Sequence, residues 1–535
     1  MKRRGYAGRV RWSDSLAVAV VSGAAVLAGC GGDSAGSGAL DDSLGYLPSE
    51  PALVAVISTD LAQYATFDDK LDSLGVPGGG VEGMLRDAVE EEEDDGKRLS
   101  YEKDVKPLLG EDLVLGAPSP ASLDTGEGVV AAIQISETEK LTEILEGPFF
   151  ELERDGEAEG ADLYRPKDPD SDDPAVALDG DTLVVAESSD TLREALKRQN
   201  GGDGLSGERF SAGVKGLPED APLQVVLSPE AALAQIPDAD ALQDVRWVSA
   251  VSSVGIGISA SEDAIETDLS VRTDSGELSE SDLPVATGEE ELELLERDDE
   301  LLSASAKQSV STRFLLEAVG AAYPDSEFEE RREDVESDLG LKLDDLLGLF
   351  DGPSVSAQTA AGIVATRSEV SDPQELAAGL RKLAPRLPEL AEALGPIGER
   401  TALTAIRTIA PKLPLPGEGI DEAGVTVTPV PGERDLFTLS AADPEFSAPN
   451  ELVVFGVVGD FFVVAGDEAA AKEIATAPTQ PADGLSGGAI FSADPAFLGA
   501  LVGADATQLP SLENLEGYVR ASTEELTVHS ELGVR

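Results

Sequence analysis

The sequence predicts an α+β protein, internally duplicated, with antiparallel sheets and helices packed on one face. Three observations lead there. Short alternating apolar runs follow one another across two-residue turns such as Asp179-Gly180, and strands joined that closely run antiparallel. Stretches with helical spacing of apolar residues separate the groups of strands. One ordered series of landmarks also occurs twice along the 535 residues. A hydrophobic content of 41% can build a core at this length, which suits two or three domains.

The chain opens with Lys2, Arg3, Arg4, Arg9 and Arg11, followed by an apolar run from Leu16 to Ala28. That run is too short for a transmembrane helix, which needs about 20 residues, and matches the core of a signal peptide. It closes on Leu27-Ala28-Gly29-Cys30, a small-residue approach to a Cys that resembles the lipobox of bacterial lipoproteins. The resemblance implies that residues 1–29 are removed and that Cys30 carries acyl chains, palmitate among them. The expected location is the cell membrane, lipid-anchored at its extracytoplasmic face. Residues 30–46 read as the lipidated Cys and a flexible Gly/Ser/Asp-rich tether, spanning ~20–24 Å. No later stretch is long and apolar enough to cross a bilayer, so the acyl chains are the expected attachment.

From Leu47 the landmarks begin. Asp104-Val105-Lys106-Pro107-Leu108-Leu109-Gly110 has an echo in Asp344-Asp345-Leu346-Leu347-Gly348, and each leads into a strand-like run. Next, Val129–Ile135 and Ile363–Val370 each run into a capping box, Ser136-x-x-Glu139 and Ser371-x-x-Gln374. The hairpin Ala175–Leu178, Asp179-Gly180, Thr182–Ala186 corresponds to Val453–Val457, Gly459-Asp460, Phe461–Ala465. After each hairpin come a helix and an identical pentapeptide, Asp203-Gly204-Leu205-Ser206-Gly207 and Asp483-Gly484-Leu485-Ser486-Gly487. Both series end in a strand closing on Val-Arg, at Val271-Arg272 and Val534-Arg535. The expected copies are 47–283 and 284–535.

The second copy carries extra residues in its middle. Leu387, Leu390, Ala391 and Leu394 recur at helical spacing, as do Leu403, Ile406, Ile409 and Ala410, with Pro396 and Pro411 ending each run. A helical insertion is therefore expected over about 386–412. From Arg381 to Lys412 there are six basic and three acidic residues, against the trend of the chain.

This organisation resembles an uncharacterised family of bacterial surface proteins known as a domain of unknown function. The residues that carry the resemblance are Leu47-Pro48-Ser49-Glu50 before Val54–Ser58, the Lys106-Pro107-Leu108-Leu109-Gly110 segment, and Val129–Ser136 leading into its helix. The second copy lacks the Lys-Pro pair. The resemblance implies no activity and no catalytic residues.

Composition excludes several chemistries. With 39 Lys+Arg against 104 Asp+Glu, the net charge of −65 argues against nucleic-acid binding, which needs clustered cations. One Cys and one His exclude an intrachain disulfide, Cys-rich metal sites and multi-His centres. Gly32-x-Ser34-x-Gly36 has nucleophile-elbow spacing but lies in the tether, and Ser100-x-x-Lys103 lacks the companion motifs of Ser–Lys enzymes. Gly78-x-Gly80-x-x-Gly83 lacks the preceding strand of a dinucleotide fold. His529 falls on the polar face of a strand near Arg535 and reads as a surface residue. Asp168, Asp170, Asp172 and Asp173 form a weak Ca²⁺ candidate of hard oxygen donors, with Asp179 beyond them. Its sixth loop position is Asp rather than Gly, and an acidic solvated loop is the preferred reading.

Together these features predict a lipid-anchored, non-enzymatic cell-envelope protein acting as a binding or structural module. The first alternative is a carrier of an apolar ligand or lipid, with an apolar pocket between sheet and helices. The second is a carboxylate-based enzyme, built on a converging Asp/Glu pair. No cofactor is implied. The expected partners are the membrane, through Cys30, and an envelope protein or apolar ligand.

Overall fold

A computed structural model describes residues 37–60, 63–74, 82–83, 86, 89, 99–147, 152–167, 174–234, 239–274, 276, 278–288, 291–297, 299–322, 328–358, 364–393, 425–441, 450–502 and 511–535. The fold class is α+β with antiparallel pairing. Packing divides the chain into two units. Unit one is Met1–Ile236 with Ser252–Arg272 and Val534–Arg535; unit two is Pro237–Val251 with Thr273–Gly533. The division differs from a single cut after residue 283, because residues on both sides of Ser252–Arg272 pack into unit two. Trp247 meets Phe314 edge-on at 6.1 Å, and the Thr273 hydroxyl donates to the Thr523 carbonyl at 2.8 Å.

Unit one contains β1 (Leu53–Ile57), β2 (Leu109–Ala117), β3 (Val130–Ile135), β4 (Leu152–Ala158), β5 (Ala161–Pro166), β6 (Ala175–Asp179), β7 (Thr182–Ala186), β8 (Leu223–Leu227), β9 (Val251–Ala260) and β10 (Ala264–Thr273). Their pairing order is β4-β5-β6-β7-β3-β2-β1-β8-β9-β10, antiparallel where registers are defined. Its helices include α1 (Ser37–Leu44), α2 (Ala65–Ser73), α3 (Thr138–Leu145), α4 (Ser189–Gly201) and α5 (Gly207–Gly213).

Strand alternation sorts the core into two layers. Ala175, Ala177, Val184 and Ala186 face Leu44 of α1, Leu192, Ala195 and Leu196 of α4, and Phe210 of α5. Their neighbours Val176, Leu178, Leu183 and Val185 face Leu141 and Leu145 of α3. Helices thus cover one face, as the pattern predicts, and a second set covers the other. In α4 the buried residues sit at i, i+3 and i+4; Ser188 caps the helix by accepting from the Thr191 amide, and Gly202 ends it at φ +70°. Each fully buried Leu contributes about 1.5–3 kcal/mol.

Unit two contains β11 (Glu291–Leu295), β12 (Leu301–Ser305), β13 (Ser354–Gln358), β14 (Val364–Glu369), β15 (Val425–Pro429), β16 (Leu436–Ala441), β17 (Asn450–Val458), β18 (Phe461–Ala465), β19 (Thr479–Ser486), β20 (Ala489–Ala493), β21 (Leu512–Ala521) and β22 (Glu525–Val534). The main sheet runs β15-β16-β17-β18-β14-β13-β12-β20-β21-β22, and β11 pairs separately with β19. Helices α6 (Gln308–Ala322), α7 (Phe328–Leu339), α8 (Leu343–Leu347), α9 (Pro373–Leu383), α10 (Leu387–Ala393) and α11 (Glu468–Thr476) belong to it. Leu376, Leu380 and Leu383 of α9 and Leu390 of α10 pack with Val335, Leu346, Phe437 and Phe455.

Leaving out β11 and β19, the two main sheets have the same order by chain position. Matching contacts recur at matching places. The Ser136 amide and hydroxyl donate to the Leu108 and Leu109 carbonyls, and the Ser371 amide and hydroxyl both donate to the Leu349 carbonyl. The Ile135 amide donates to the Asp181 carbonyl at 2.7 Å, and the Val370 amide to the Asp460 carbonyl at 3.2 Å.

Those contacts replace the expected capping boxes. Neither Ser caps its helix: α3 has no side-chain cap, and α9 is capped by Asp372, which accepts from the Glu375 amide. Each Ser hydroxyl is taken by a carbonyl of the landmark segment instead. The first hairpin also turns one residue later than expected, on Gly180-Asp181, because Asp179 pairs with Thr182; the second turns on Gly459-Asp460. Gly180 and Gly459 have φ +63° and +62°, so both turns rest on Gly-Asp.

The identical pentapeptides do not share one conformation. In unit one Ser206 caps α5 and Gly204 forms a bridge with Pro48; in unit two residues 483–486 are the end of β19. Both nevertheless pair with the chain just ahead of the first strand of their sheet, Pro48 in one case and β11 in the other.

Candidate functional site

The tether expected over residues 30–46 is a folded part of unit one from Ser37 onward. Leu40, Leu44, Tyr46 and Leu47 recur at near-helical spacing, and three of them are almost fully buried: Leu44 0%, Tyr46 3% and Leu47 0% exposed. The Gly/Ser-rich composition hid this apolar stripe, whose burial outweighs the ordering cost of the small residues.

The pentapeptide Asp203–Gly207 holds this junction. The Leu205 amide donates to the Leu47 carbonyl at 3.2 Å, and the Gly207 amide to Asp41 Oδ1 at 2.6 Å. Gly204 approaches so closely that a Cβ there would lie 1.9 Å from the Gly45 carbonyl oxygen. Gln134 Nε2 donates to the Ala39 carbonyl at 3.1 Å, and Arg198 Nη1 to the Tyr46 carbonyl at 3.4 Å. The Tyr46 hydroxyl donates to Asp179 Oδ2 at 3.0 Å. Burial first, then the Asp179 carboxylate, pushes the Tyr46 phenol well above its ordinary range, so it remains a donor. These contacts clamp the chain from Ala39 to Leu47 against both the first sheet and α4.

Six residues separate Cys30 from Ser37. Seven extended Cα steps reach at most about 25 Å.

The other sequence candidates fall as follows. Cys30 and the Ca²⁺ candidate Asp168, Asp170, Asp172 and Asp173 lie outside the described residues, as do Gly78, Gly80, Leu403, Ile406 and Ile409. Among the described residues no cluster of His, Cys, Asp and Glu is placed to hold a metal. Asp179, assigned to a turn by its sequence, is the last residue of β6 and accepts from Tyr46. Ser100 precedes a short π-helical turn, and its amide donates to Asp104 Oδ2 at 2.8 Å. Two basic residues at the start of this stretch are paired: Arg381 with Asp435, and Arg386 with Asp338 and Glu389. The described helix of the insertion, α10, buries Leu390 in the core.

His529 lies on the expected polar face of β22. Its ring stacks on Tyr518 at 5.1 Å, its Nε2 is 3.0 Å from Glu531 Oε1, and Arg520 lies 4.2 Å over the Tyr518 ring. Sequence spacing did not show this stack, because Tyr518 and Arg520 come from β21. A half-open cleft of about 240 Å³ in unit one is lined by Thr66, Asp69, Lys70, Ser73, Glu262 and Arg535, with Lys70 Nζ donating to the Val534 carbonyl at 2.7 Å. No helix among the described residues is long and apolar enough to cross a membrane.

No protein-family model matches the chain, and no curated protein matches it in sequence. Among solved structures, crystal form I of TP0453 aligns at 9% identity with a TM-score of 0.25, and crystal form III at 9% and 0.26. Crystal form IV aligns at 10% and 0.27. Each alignment covers 44% of this chain and 81–82% of TP0453. At these TM-scores the likeness carries no argument about function.

Proposed function

We propose that this chain is a lipid-anchored, non-enzymatic protein of the cell envelope, held at the extracytoplasmic face by acyl chains on Cys30 and acting as a binding or structural module. One relationship carries the reading: the lipobox-like Leu27-Ala28-Gly29-Cys30 stands six residues ahead of a helix clamped into the core of unit one. Such a junction suits an anchor that must hold a folded body close to a lipid surface. Two or more acyl chains give stable attachment where one does not.

The carrier alternative finds less support. An apolar carrier calls for an open apolar pocket, whereas Leu192, Ala195, Leu196, Phe210 and Val184 pack on one another between sheet and helices.

Detergent phase partitioning tests the reading. Wild type should enter the detergent phase and incorporate labelled palmitate, and Cys30→Ala should do neither. Equal partitioning of both proteins ends the anchoring claim.

A further inference from the structure

The chain has three Asn residues, followed by Gly201, Glu451 and Leu515. Gly201 has no side chain to obstruct attack of its backbone nitrogen on the preceding carboxamide, so Asn200 is the one most prone to lose ammonia. Asn450 opens β17 and Asn514 lies within β21, where ladder pairing fixes the backbone. Asn200 instead stands one residue before the end of α4, and Asn200, Gly201, Gly202 and Asp203 are all exposed. Helix ends fray, and that opening frees the backbone from the α conformation, which keeps the carboxamide and the next nitrogen apart.

The Asn200 side chain also holds a neighbouring element. Its Nδ2 donates to the Leu196 carbonyl at 3.3 Å and, outside the helix, to the Glu159 carbonyl at 2.9 Å. Glu159 and Gly160 form the two-residue turn between β4 and β5, with φ +52° and +97°. Turns with two positive φ angles favour Asn, Asp or Gly at the first position. Among the described residues Glu159 is the only non-glycine with a positive φ. A strained turn thus takes its hydrogen bond from a reactive amide 41 positions away.

We propose that Asn200 is a modification site, at which spontaneous deamidation releases the β4–β5 turn. The Gly201 nitrogen bonds to Asn200 Cγ, the Cγ–Nδ2 bond breaks, and ammonia leaves with the Gly201 amide proton. Water then opens the succinimide at either carbonyl, giving aspartate or isoaspartate. Both products replace a donor amide by an acceptor-only carboxylate facing the Glu159 and Leu196 carbonyls. The new negative charge also lies at the C-terminal end of α4, where the helix dipole disfavours it.

The test ages the full chain in neutral detergent and mildly alkaline buffer, then maps its peptides by mass. Asn200 should convert from amide to acid while Asn450 and Asn514 stay amides. A Glu-specific protease should cut after Glu159 at least about threefold faster in aged than in fresh protein, as the loss of one hydrogen bond allows. Gly201→Ala needs no positive φ, and its Cβ would meet the Asp203 carboxylate at 3.2 Å. That variant should keep both the Asn200 amide and the slow cutting. Asn200→Asp should be cut fast without ageing. Survival of the Asn200 amide, or equal conversion of the three Asn residues, overturns the proposal. So does conversion at Asn200 that leaves cutting after Glu159 unchanged. The comparison of aged with fresh wild type needs no variant to fold.

Discussion

The Tyr46 hydroxyl donates to Asp179 Oδ2 at 3.0 Å, joining the chain that enters unit one to the last residue of β6. The bond depends on the hairpin turn. With Gly180-Asp181 as its two central residues, Asp179 stays in the strand and its carboxylate is available to Tyr46. A turn one residue earlier would have removed the acceptor.

Tyr46→Phe should cost about 1.5–3 kcal/mol in urea unfolding, the usual loss for a hydrogen bond to a charged group. The pH dependence has a definite sign. The folded-state pKa of Tyr46 is raised, so its contribution is full below the ordinary tyrosine value of about 10 and is lost as pH rises beyond it. Wild type should therefore lose stability relative to Tyr46→Phe above about pH 10. A constant difference across that range would show that the phenol is not shifted.

The two glycines of the repeated pentapeptide should fail for different reasons. Gly204→Ala drives a Cβ into the Gly45 carbonyl and should cost about 1–3 kcal/mol, loosening the junction to proteolysis. Gly484→Ala meets nothing within 4 Å but holds φ +81°, so its cost of about 1–2 kcal/mol is backbone strain alone. Limited proteolysis separates them: new cleavage near residues 37–47 is expected for the first variant only.

Asp282 provides an acid-side test. Burial raises its pKa, but hydrogen bonds from Ser279 and the charge of Arg246 outweigh burial and leave it lowered. A lowered folded-state pKa gives stability that is present above the ordinary carboxylate range and lost as pH falls through it. Asp282→Asn should cost about 1–2 kcal/mol at pH 7 and show a smaller loss below about pH 4. Parallel pH profiles for the two proteins would count against this account.

Tyr164 and Phe437 occupy matching positions, paired with Val176 and Phe455, each four residues before its turn glycine. Phe437 stacks with Phe455, whereas the buried Tyr164 hydroxyl has no hydrogen-bond partner among the described residues. Tyr164→Phe should therefore be neutral or stabilising by up to about 1–2 kcal/mol, read as a shift of the urea midpoint. A clear loss of stability would show that the hydroxyl is satisfied.

Much of the fold was legible because strand signals are local. Thr182–Ala186 and Phe461–Ala465 are strands with the bounds that alternation predicts, and the order of landmarks follows the order of matching elements. Less of the candidate site was legible. Ser136 and Ser371 carry capping-box spelling, yet their hydroxyls go to Leu109 and Leu349, partners separated by 27 and 22 positions. Residues 37–46 look like a linker by composition, and only their docking against Leu192, Leu196 and Leu205 makes them part of the core.

By itself the sequence determined the alternation of strands, the antiparallel pairing and the two ordered series of landmarks, because periodicity and turn residues act over a few neighbours. Tertiary structure alone decided that Tyr46 meets Asp179, and that identical pentapeptides become a helix cap in one unit and a strand end in the other. Each of those depends on groups brought together from distant positions. Local preference leaves such choices open, and packing with hydrogen-bond satisfaction closes them.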